Sequence, residues 1–136
     1  LVPAEFVVNR AAAYANSFGF YAVDNVKGDL GNLSPGESGY AEAAIKNRVD
    51  LSTGNLPGGN LLAPFLVADA TPEAFLAQNP DNQTGQGPFA YFAFLGANPD
   101  GVDHIRLSGN NTFGFEDMFG GGDLDKDDLV VQVKLT

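Results

Sequence analysis

An antiparallel β-sandwich, jelly-roll-like and carrying one or two short helices, is the mainly β fold this sequence predicts. Three observations point there: short runs in which apolar and polar residues alternate, turns marked by glycine and proline between them, and only two segments that open with helix-start signatures. The chain of 136 residues holds 17 Gly and 8 Pro, which favours many turns over long helices. Its length suits one ordinary domain with one sizeable core, so residues 1–136 are read as a single domain, and that domain is expected to be a piece of a larger secreted protein. Eleven Phe and no Trp predict a core built on phenylalanine.

The opening LVPAEFVV has neither a basic n-region nor a cleavage signal. Residues 16–26 read as a strand in which Phe18, Phe20 and Ala22 alternate with Gly19, Tyr21 and Val23. After a turn-rich stretch, Ser34 and Glu37 have capping-box spacing, and Tyr40, Ala43 and Ala44 continue with helical spacing, so a helix is expected within 37–50. Residues 51–59 read as a loop. The apolar run 61–68 is a strand whose Pro64 suggests a sheet edge or a bulge. Thr71-Pro72-Glu73 is a helix start, with Thr as N-cap and Pro in the first turn. A polar loop follows over 79–88, then an aromatic strand over 89–95 and the turn Asn98-Pro99-Asp100-Gly101. Three further strands are expected. In 104–108 polar and apolar residues alternate, with His104 beside Arg106 toward solvent. In 112–117 Phe113 and Phe115 share a face. In 129–135 Leu129, Val131, Val133 and Leu135 share a face.

Seven basic residues against 17 acidic ones give a formal charge of −10. Such a field repels phosphate backbones and anionic lipid, so nucleic acid is excluded as a partner and divalent cations are favoured. No apolar run approaches the roughly 18 residues of a membrane span, so membrane insertion is not expected. The absence of Cys removes disulfides, zinc–thiolate sites and a cysteine nucleophile. An exported domain without disulfides can use metal ions as staples instead.

The acids concentrate at one place. Glu116, Asp117, Asp123, Asp125, Asp127 and Asp128 fall between two strands, with Lys126 as the one basic residue among them. Two carboxylates about 5 Å apart repel by roughly 3 kcal/mol at an effective dielectric near 20. Several such pairs rival the ~5–15 kcal/mol that holds a small domain together, and a cation among them relieves the repulsion. Oxygen-only donors select a hard ion, and calcium accepts six to eight oxygens in irregular geometry. Asp123, Asp125 and Asp127 alternate as at the start of an EF-hand loop. The EF-hand does not fit, because Asp128 stands at its glycine position and Lys134 at its terminal glutamate position. Glu116 or Asp117 is therefore expected to complete the shell across Gly120-Gly121-Gly122, where glycine lets carbonyls approach an ion. A solvated acidic turn is the simpler alternative, since Asp favours turns through local hydrogen bonds.

The stretch NTFGFEDMFGGGDLDKDDLVVQV (111–133) resembles the C-terminal signature of a bacterial family known as domain of unknown function 4114: a strand ending in FED, a GGG turn, and an acidic run leading into LVV. GFYAVDN, LLAPFLVA and YFAFLGANPDGVDHIRL resemble it further upstream. The resemblance implies a calcium-associated domain of secreted or surface proteins and implies no established activity. On the matching positions, Asp123, Asp125 and Asp128 stand at the family's acidic sites and Glu116 and Asp117 in its FED. Asp127 replaces an expected Asn, and Lys126 an expected aromatic.

No catalytic site is expected. His104 has Asp103 beside it, and the sequence carries no nucleophile elbow for a Ser–His–Asp arrangement. Six acids round one turn suit a cage better than a glycosidase pair. The leading expectation is a calcium-binding structural or adhesive module, extracellular or at the cell surface. Its partners would be calcium ions and other copies of itself or neighbouring domains. The alternative is a calcium-dependent carbohydrate-binding module, for which Tyr14, Tyr21, Tyr40 and Tyr91 are the available stacking aromatics. Filling the loop should pin 129–135 to the sandwich.

Overall fold

A computed structural model describes residues 2–10, 16–59, 61–109, 111–116, 120 and 129–135. Within them eight strands form two antiparallel sheets, as a β-sandwich requires. The strands are β1 (Val2–Arg10), β2 (Ser17–Val23), β3 (Asn55–Leu56), β4 (Leu61–Val67), β5 (Ala90–Phe92), β6 (Ile105–Gly109), β7 (Thr112–Phe115) and β8 (Leu129–Leu135). One sheet has the order β3-β1-β8-β7-β6 and the other β2-β4-β5. Two helices, α1 (Tyr40–Lys46) and α2 (Pro72–Gln78), complete the described elements.

Strand alternation sorts the core into layers. Leu66 and Tyr91 of the three-stranded sheet meet Ile105, Phe115, Leu129 and Val131 of the five-stranded one. Phe18 and Phe20 of β2 point the same way, with ring centroids 6.2 and 6.1 Å from Phe6 of β1 and Phe20 5.7 Å from Phe113 of β7. The opposite faces of β2, β4 and β5 carry Tyr21, Ala63, Phe65, Val67, Ala90 and Phe92, which pack with Tyr40, Ala44, Ile45 and Phe75 of the helices. The phenylalanine core expected from composition therefore exists, but tyrosine shares its helix-side half.

Several elements differ from the sequence reading. β1 is not among the strands expected from the sequence, although Ala4, Phe6 and Val8 alternate with Glu5 and Val7. It runs antiparallel along the whole of β8, from Ala4↔Leu135 to Arg10↔Leu129. The loop 51–59 contains the two-residue β3, which pairs with the start of β1. Pro64 lies in the middle strand of its sheet rather than at an edge or bulge. Its ladder partner is Phe20 of β2, and pairing with β5 begins only at Phe65, so on that side Pro64 has no ladder bond to lose. The short helix expected within 37–50 is α1, and it starts at Tyr40 because Gly39 at its N-cap adopts φ 91°. α2 matches its reading: Thr71 Oγ1 accepts the Ala74 N–H at 3.1 Å, with Pro72 in the first turn.

Candidate functional site

β6 and β7 form a hairpin, and β7 pairs with β8, so residues 116–128 link two adjacent strands. Of the six acids expected to hold a metal, Glu116 belongs to the described residues. Asp117, Asp123, Asp125, Asp127 and Asp128 lie outside them. Among the described residues no group of three or more His, Cys, Asp or Glu side chains gathers to hold a metal.

What the fold brings to the root of this segment is a polar constellation in which the buried side chains of Asp100, His104 and Glu116 meet the exposed backbone of Gly120. Glu116 follows β7 directly and is 1% exposed. Its N–H donates to the His104 carbonyl at 2.8 Å, and its own carbonyl accepts from His104 Nδ1 at 2.7 Å. His104 Nε2 meets Asp100 Oδ2 at 2.6 Å, and the same oxygen accepts the Gly120 N–H at 2.7 Å. Asp100 Oδ1 accepts the Val102 N–H at 3.0 Å, closing the turn read from the sequence. Tyr91 stacks on the imidazole, with centroids 3.6 Å apart and planes 13° from parallel.

The expectation that His104 faces solvent is corrected here: it is fully buried. β6 begins at Ile105, so His104 precedes the strand and its direction is not set by the alternation that exposes Arg106. The Glu116 carbonyl can only accept, so Nδ1 donates to it, while Nε2 is taken up by Asp100. Neither nitrogen is left to activate a serine. Burial alone would push the Asp100 carboxyl up. The Gly120 N–H, the His104 ring and the Val102 N–H outweigh that and hold it below the usual carboxylate range. The signal for this pair was present in the sequence, as the chain's lone His four residues after an Asp, but only burial gives that spacing meaning.

The arrangement can hold charge. Glu116 Oε2 lies out of contact with solvent. A carboxylate at that depth is stable only with a proton, a cation or hydrogen-bond donors close to it. All the acids of 116–128 offer oxygen alone, a donor set that fits calcium and not a soft metal.

No curated protein and no solved structure matches the chain. Residues 56–136 match the family described as Domain of unknown function (DUF4114). The matched span starts in β3 and takes in the β6–β8 strands with the whole constellation. The upstream piece GFYAVDN precedes it. With more than half of its length matched, and the FED-to-LVV segment inside that match, the chain belongs to the DUF4114 family.

Proposed function

We propose that this domain is a calcium-stabilised structural or adhesive module of a secreted or cell-surface protein, with calcium held by acids of residues 116–128. The observation that carries it is Glu116. Its carboxylate is buried where the acidic segment leaves β7, its backbone is fixed on both sides by His104, and five more acids follow within the linker to β8. Asp117, Asp123, Asp125, Asp127 and Asp128 would supply the remaining carboxylates. The ion would neutralise acids carried by the link between β7 and β8 and so tie the two strands together. An acidic, cysteine-free chain also fits an exterior where calcium is plentiful.

Melting the domain in EGTA and in millimolar calcium tests the reading. At calcium roughly a hundredfold above Kd, binding adds about 2.7 kcal/mol, which corresponds to a midpoint rise of roughly 5–15 °C. An unchanged midpoint would end the proposal. Amide exchange locates the effect. β8 has β1 along its other side, so the Phe115↔Leu129 end of the β7–β8 ladder is expected to speed up first in EGTA. Equal exchange with and without calcium would count against the staple. Sedimentation in calcium against EGTA reads whether copies also assemble.

The carbohydrate-binding alternative gains nothing here. Tyr21, Tyr40 and Tyr91 are all buried, and Tyr14 lies outside the described residues.

A further inference from the structure

We draw no further inference here: the strongest candidate, the cleft beside β2 lined by Phe18, Lys46, Arg48, Val49, Asp50 and Pro72, carries nothing, because its two cations are already paired with Glu42 and Glu73 and nothing in the structure shows what covers it.

Discussion

At residue scale the helix-side core turns on a pair of phenols. Tyr40 Oη donates to the Gly28 carbonyl at 2.6 Å, which commits its one proton, so Tyr21 Oη donates to Tyr40 at 3.0 Å. Their rings meet edge to face with centroids 6.3 Å apart. Tyr40→Phe removes the middle of the chain and leaves a buried carbonyl and a buried hydroxyl short of a partner. Denaturant unfolding is expected to show a loss of about 1–3 kcal/mol. Burial, with Tyr40 beside it, pushes the Tyr21 phenol far up from its ordinary 10.0, and burial is also the largest cause raising Tyr40. A raised folded-state pKa stabilises the fold fully below the unfolded value and ceases to do so as pH rises beyond it. Stability should therefore fall above about pH 10, as the unfolded chain ionises phenols that the fold keeps neutral. Denaturation midpoints measured from pH 8 to 11 check this, and the Tyr21→Phe chain should show a shallower decline.

The alternation of Phe18, Phe20 and Tyr21 was legible in the sequence; which face meets helices was not. Gly19 shows why such details wait for the fold. A Cβ there would stand 2.5 Å from the Phe65 ring, which comes from another strand. His104 is the same lesson at the site: an imidazole beside two aspartates reads as surface until its neighbours are known.

At the scale of elements, the short β5 depends on side chains that stand in for the second neighbouring strand it lacks among the described residues. Asn82 Oδ1 accepts the Ala90 N–H at 2.9 Å and its Nδ2 donates to the Ala90 carbonyl at 2.7 Å. Asn98 accepts from Phe92 two residues on. Asparagine presents a donor and an acceptor side by side, as a backbone amide does, so these loops close a sheet edge that could otherwise pair with another chain. Asn82→Ala is expected to cost about 1–3 kcal/mol in denaturant unfolding and to raise aggregation on warming, read by light scattering. An unchanged unfolding midpoint would show that water replaces the amide without loss. The polar character of the loop 79–88 is legible in its composition, but its bonding role is not, because Ala90 and Ala97, which the Asn82 side chain holds, lie outside it. Local signals fared well where the bonding is local. Thr71 caps α2 as its spacing says. Ser34 N–H donates to Glu37 Oε1 at 2.6 Å as a capping box would, yet the helix itself waits for Tyr40.

For the whole molecule, a formal charge of −10 means that the folded state works against its own field. Sodium chloride should raise the melting midpoint gradually by screening. Calcium chloride at matched ionic strength should raise it further and saturably, because a bound ion acts by occupancy and not by screening. Coincident curves for the two salts would reduce the acidic segment to a solvated turn. The same global view accounts for the first strand. β1 has an ordinary alternating pattern, but what makes it a strand is β8 at the far end of the chain, lying between it and β7.

The sequence by itself determined the fold class, most of the strands and one helix start, because hydrophobic period, turn residues and caps are read within a few positions of one another. It also located the acidic segment and its place between the last two strands. Tertiary structure decided which strands are neighbours, which face of β2 each aromatic serves, and that His104 is buried against Tyr91 and bound to Asp100 and Glu116. Those outcomes depend on contacts between residues distant in the chain. Burial in such contacts, absent from any local window, turns an Asp and a His four residues apart from an ordinary turn into the clamp at the root of the acidic segment.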